Sequence, residues 1–166
     1  GSTGGWLETG KLDELGHKLG VRLAAQIDTE LEILLDQVSG LIEAGWTRIR
    51  IVTDHGWLLM PGGLPHVAVP SHLTTTKWSR AATVKGDAKP SVPVHAWHWN
   101  THVRIASPPG VGSFAPNTEY SHGGISPQEC IVPELVVERG GGGTTASITA
   151  ITWRGMRCRV SVTTND

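Results

Sequence analysis

Apolar residues recur at three- and four-residue steps through Leu31, Leu34, Leu35, Val38, Leu41 and Ile42, which predicts an amphipathic helix. Thr29 and Glu32 at its start have the spacing of a capping box, and Asp28 and Glu30 suit the positive end of a helix dipole. Gly45 is placed to end it. The period then changes: residues 48–52 (Arg-Ile-Arg-Ile-Val) are apolar at alternate positions, a strand running into Thr53-Asp54-His55-Gly56. A helix feeding a strand through a short turn predicts an α/β arrangement, with helices flanking a mainly parallel sheet. Upstream, residues 11–27 carry a shorter helical pattern interrupted by glycines, and the first ten residues carry none.

Downstream the pattern is broken, then resumes. Pro61, Gly62, Gly63, Pro65, Pro70 and Gly86 punctuate residues 57–90, which read as irregular connection over a cleft. Residues 92–105 return to strand character, Ser121-His122-Gly123-Gly124 forms a tight loop, and Ser126-Pro127 has the form of a helix cap with proline in the first turn. Residues 130–138 are mostly apolar and predict a buried strand. Four consecutive glycines mark residues 139–145 as a flexible linker. Two β runs within 146–166, on either side of Arg154-Gly155, predict a hairpin that would open a second β domain. The main domain is therefore expected over 11–138, after a start of 1–10 in which Gly1-Ser2 resembles a protease-cleavage remnant.

Composition alters this picture little. A chain of 166 residues is long enough for one domain with a core of its own. Fourteen basic and 15 acidic residues give a net charge of -1, which argues against bulk electrostatic capture of nucleic acid but leaves room for a local basic rim. Cys130 and Cys158 match no zinc spacing and are expected as buried thiols of a cytosolic protein. No stretch approaches the ~18 uninterrupted apolar residues of a membrane span, and no secretion signal is visible. Seven tryptophans against one tyrosine and one phenylalanine read as core filling.

Candidate chemistry lies in three spaced elements. Asp13 and His17 are four residues apart, so on a helix they share a face and can reach one ion. Asp54-His55 follows a strand, where ligands of open α/β sheets gather. His122 sits in a glycine-flanked loop that permits close approach of backbone to a metal. Three further histidines, His95, His98 and His102, alternate along one expected strand and do not converge, so they read as structural or surface residues. Trp97 and Trp99 are expected to be buried against a helix.

The order of these elements resembles the alkaline phosphatase superfamily, whose metal motifs are Asp-x-x-x-His, then Asp-His after a strand, then a loop His. Residues 12–17 (LDELGH), 51–56 (IVTDHG) and 120–133 (YSHGGISPQECIVP) carry the resemblance, which spans 11–138. The last two are most similar to PglZ proteins, the phosphatase-like components of BREX phage-defence systems. The resemblance implies a three-layer α/β/α core and two divalent ions, with zinc first and manganese also suited to the donors. Asp13, His17 and His122 would hold one ion, while Asp54 and His55 would help hold the other. It further implies a phosphate-bearing substrate, with nucleic acid among the candidates, and other phage-defence proteins as partners. Lys77, Arg80 and Lys85, in the stretch that overhangs the metals in this superfamily, would bind phosphate. The family's nucleophile and a further metal Asp come from upstream of the first motif. Only twelve residues precede Asp13, and Ser2, Thr3 and Thr9 are poor nucleophile candidates, so the chain is expected to be truncated and inactive alone. Two alternatives stay open: a non-catalytic, metal-stabilised docking module of a defence complex, and a phosphotransferase or mutase.

Overall fold

The fold is that of a computed structural model, which describes residues 4–139, 145–154 and 157–165. Ser2, Thr3, the four-glycine run and Gly155 of the expected hairpin turn lie outside the described residues. The elements are α1 (Leu12–Leu19), a 3-10 turn (Gly20–Ala25), α2 (Ile27–Glu43), β1 (Arg48–Val52), β2 (Leu58–Leu59), a second 3-10 turn (Ser71–Leu73), β3 (Thr74–Lys77) and β4 (Ala82–Val84). They continue with β5 (Val94–Trp97), β6 (Asn100–Ala106), β7 (Tyr120–Ser121), α3 (Pro127–Cys130), β8 (Glu134–Glu138), β9 (Thr145–Arg154) and β10 (Arg157–Asn165). This is a mixed α/β chain with small sheets: β1-β8, β2-β7, β3-β4-β6-β5 and β9-β10.

The expectation of a mainly parallel sheet is corrected. Every pair between named strands is antiparallel, and the one parallel contact among the described residues is an isolated bridge between His66 and Ser113. Parallel neighbours need a crossover of a dozen or more residues, whereas β3-β4 and β5-β6 are joined by short turns that permit only the antiparallel form. Two turns were hidden in the sequence pattern. The punctuated stretch after Asp54-His55 contains the β3-β4 hairpin. The single strand expected over 92–105 folds back at His98-Trp99, bringing Trp97 opposite Asn100. His98 therefore lies in a turn and not on a strand face with His102. Trp97 and Trp99 are exposed beside it, Trp99 to 82%, rather than buried against a helix.

Helix boundaries shift for a local reason. Gly20, at φ 56°, ends α1, and the chain tightens into the 3-10 turn. The Gln26 N–H bonds back to Leu23, while the Gln26 carbonyl accepts from Glu30, so α2 grows directly out of that turn. Thr29 and Glu32 consequently lie inside the first turns, and no side chain caps the helix. The Ser126-Pro127 start of α3 is found where expected, with Glu129 in the capping position.

The buried apolar cluster is Val69, Ala82, Val84, Ala106 and Phe114, packed under the four-stranded sheet with Val67, Ala88, Val92 and Val94. β8, in contrast, is not the buried strand its composition predicts. It pairs with β1 alone and leaves Leu135 54% exposed. Across from β1, α2 borders a groove of about 820 Å³ lined by Trp6, Leu34, Val38, Trp46 and Ile51. Cys130 is an exposed free thiol rather than a buried one. No helix among the described residues is long and apolar enough to cross a membrane.

Candidate metal centre

Asp13 and His17 project from the same face of α1, one turn apart. Between them Gly16 is buried against the Tyr120 ring, and a Cβ there would come within 2.3 Å of the ring carbons. Glycine is thus what lets β7 lie on the helix. The Tyr120 hydroxyl donates to Asp13 Oδ1 at 2.9 Å, and two residues further His122 Nε2 lies 3.0 Å from that same oxygen. His17 Nε2 is 3.0 Å from His122 Nε2 and 3.7 Å from Asp13 Oδ1. Ligands around a tetrahedral zinc at 2.0–2.1 Å stand roughly 3.3 Å from one another. A triangle of one carboxylate oxygen and two imidazole nitrogens with edges of 3.0, 3.0 and 3.7 Å fits such an ion.

His55 reaches the cluster from the loop after β1. Its Nδ1 donates to the Gly56 carbonyl at 3.0 Å, which leaves Nε2 with a lone pair for ligation. Its ring stacks on that of His122, with centroids 4.2 Å apart and planes at 10°. Asp13, His55 and His122 each offer a ligand atom within 4.8 Å of the other two. Asp13 and His122 are therefore common to both groupings, with His17 on one side and His55 on the other. Asp54 stands outside this convergence. Its side chain is 87% exposed, and its Oδ1 accepts the His55 N–H at 3.0 Å while lying 3.8 Å from His55 Nε2.

The electrostatics favour ligation. Burial holds the His122 imidazole below its ordinary range, and His55 and His17 add to this against the pull of Asp13 and Glu129. Neutral imidazole is the form that binds metal. Burial, together with the hydrogen bond to Asp13, pushes the Tyr120 phenol well up, so it remains a donor. His17 and Tyr120 also line a cleft of about 550 Å³ with Gly16, Gly62, Gly63 and Asn117, which gives a small polar molecule access beside the cluster.

Of the expected phosphate-binding residues, Arg80 is placed otherwise. Arg80 is buried to 1% exposure, and four of its five guanidinium N–H groups are taken by Glu129 and by the carbonyls of Gly110 and Gly112, so it is turned away from any substrate. Lys77 and Lys85 are exposed, one at the end of β3 and the other just after β4. Tyr120 and Glu129 are residues that motif spacing alone does not single out. Their one signal in the sequence is position, since both lie in the run of residues 120–129 (YSHGGISPQE) that also holds His122 and the helix cap.

Glu129 carries a pH signature. Burial alone would raise its carboxyl, but hydrogen bonds from Arg80, from the Ser126 hydroxyl and from the N–H groups of Gly124 and Ser126 lower it from 4.5 to about 2. A depressed folded value means that its contribution is complete above pH 4.5 and is lost as pH falls through about 2. The thermal midpoint is therefore expected to fall between pH 4.5 and 2, and less steeply in an Arg80→Met/Glu129→Leu variant. Circular-dichroism melts measure this, and identical slopes for the two proteins would remove Glu129 as the cause.

No known protein family, characterised protein or solved structure shows significant similarity to the chain.

Proposed function

We propose that the chain carries the metal site of a phosphoester hydrolase of the alkaline phosphatase superfamily, similar to PglZ proteins. The observation that supports it most is convergence. Asp13 on α1, His55 after β1 and His122 after β7 bring ligand atoms within 4.8 Å of one another, and His17 Nε2 stands 3.0 Å from His122 Nε2 across 105 residues of sequence. Asp13, His17 and His122 suit one ion, and His55, with Asp54 beside it, supplies part of a second. Zinc matches this set of imidazole and carboxylate donors, and manganese is the alternative. Bound ions would supply Lewis-acid stabilisation of both the attacking and the leaving oxygen of a phosphoryl group. The protein's own part is to favour the neutral His122 imidazole, orient Asp13 through Tyr120 and open the adjoining cleft. The three-layer core of the superfamily belongs to the same proposal, with β1 delivering Asp54-His55 from its carboxyl end. A phosphomonoester or phosphodiester, nucleic acid included, is the proposed substrate, and phage-defence proteins are the proposed partners.

A second reading, a metal-stabilised docking module, draws on the exposed apolar residues of β8 and α2, among them Leu135, Val136, Leu31 and Leu35. One experiment separates the two. The chain is loaded with Zn²⁺ or Mn²⁺, its metal content is measured by atomic emission, and inorganic phosphate is titrated calorimetrically. The phosphoesterase site predicts that phosphate binds the metal-loaded chain and not the metal-free one. A loaded chain indifferent to phosphate would favour the docking module, and a chain that takes up no metal would overturn both.

A further inference from the structure

The metal-site reading leaves open what sets the distance between its two loop-borne ligands. His55 and His122 sit on loops from different sheets, and a loop ligand is only as well placed as the contacts behind it. Both loops are tied to one residue, Glu129. Its backbone carbonyl accepts the N–H of Gly56, next to His55, at 2.9 Å. Its Oε1 accepts the N–H of Gly124, two residues from His122, at 2.9 Å. The other oxygen, Oε2, takes the Ser126 N–H at 3.1 Å and the Ser126 hydroxyl at 2.6 Å.

Arg80 completes the clasp. It comes from the β3-β4 turn and grips the carboxylate through two parallel bonds, Nε to Oε1 at 2.9 Å and Nη2 to Oε2 at 2.6 Å. Nη2 also donates to the Gly110 carbonyl at 2.9 Å, and Nη1 donates to that of Gly112. Both side chains are 1% exposed. The neighbouring Ser79 hydroxyl contacts that of Ser121, so a second link joins the same turn to the residue before His122. The spacing is tight on both arms. A Cβ on Gly56 would fall 2.0 Å from the Gln128 carbonyl oxygen, and one on Gly124 would fall 2.7 Å from Arg80 Nη2.

A buried ion pair is a poor way to add stability, because apolar residues of the same volume often serve as well or better. Bidentate geometry does add directional specificity. We propose that Glu129, clamped by Arg80, is a positioning residue that fixes the His55 and His122 imidazoles at the separation a shared metal centre requires. This rests on the metal reading of the site. The β3-β4 turn thereby acts on the centre from behind, through the loops, rather than from above through its cations.

The test uses Arg80→Met/Glu129→Leu, which replaces the pair by apolar side chains, and Glu129→Asp, which keeps the charge but withdraws the carboxylate from Gly124. Two readouts are taken on each protein: the nuclear Overhauser contact between the His55 and His122 rings without metal, and affinity for Co²⁺ with its visible spectrum. Circular dichroism identifies which variants are folded. In any folded variant the ring contact is expected to weaken, and Co²⁺ affinity to fall about 10–100-fold with an altered spectrum. Should the double variant fail to fold, Glu129→Asp carries the test. A folded variant with the ring contact and Co²⁺ affinity both intact would overturn the positioning role. If the parent chain binds no Co²⁺, the metal reading fails, and the ring contact alone still decides whether Glu129 positions the two histidines.

Discussion

Replacing His122 with alanine is expected to lower metal affinity by more than about 100-fold, the upper end of what loss of a supporting partner behind a ligand costs. His122 is the residue that every other member of the cluster touches: Asp13 at 3.0 Å, His17 at 3.0 Å and His55 through the stacked rings. Its removal takes a donor from both groupings at once. Asp54→Ala serves as the contrast. With its carboxylate 87% exposed and directed at its own loop, it is expected to change affinity far less. Titration with Zn²⁺ against a competing chelator ranks the two. Equal losses, or a larger loss for Asp54→Ala, would show that the ions are centred on the β1 loop instead of on Asp13 and His122.

Arg80→Ala is expected to have the largest effect on stability of any single substitution in the described chain. It would leave Glu129 ionised in a buried site, and unpairing a buried charge costs about 3–5 kcal/mol. The carbonyls of Gly110 and Gly112 would also lose their donor. For a chain of this size the loss corresponds to a fall of about 6–20 °C in the thermal midpoint. Arg80→Met/Glu129→Leu should recover the part due to the unpaired charge, since it removes both charges together, but not the part due to the Gly110 and Gly112 carbonyls, which stay without their donor. Urea unfolding measures both variants. A single-variant cost below about 1 kcal/mol would mean that Glu129 is reached by water or has been neutralised.

The two substitutions probe the cluster itself and the buried pair behind it, and the sequence discloses the two unequally. His122 is legible because a histidine before two glycines follows Asp-x-x-x-His and Asp-His in a recognisable order. Arg80 has a role that its sequence context conceals. A basic residue in a punctuated stretch reads as a solvent-facing cation, and burial reverses that meaning by turning every donor inward. The missed β3-β4 hairpin is what carries it there: Thr74–Lys77 and Ala82–Val84 are too short to establish an alternating period against so much proline and glycine. Trp97 and Trp99 failed in the opposite direction. Their size suggests burial, yet the reversal at His98-Trp99 places them at an exposed hairpin tip.

The sequence by itself determined the local elements whose causes are local. These are α2 from its apolar period, β1 from its alternation, α3 from Ser126-Pro127 and the pairing of Asp13 with His17 from helical spacing. Only the tertiary structure decided the antiparallel pairing, the exposure of β8 and the assembly of the cluster. It also decided that Asp54 stands aside while Tyr120 holds Asp13, and that Glu129 joins the loops of His55 and His122. The physical reason is sequence separation. A period or a cap is set by neighbours within about one helical turn. A hydrogen bond between residues 107 apart, such as that from Tyr120 to Asp13, depends on the packing of everything between them.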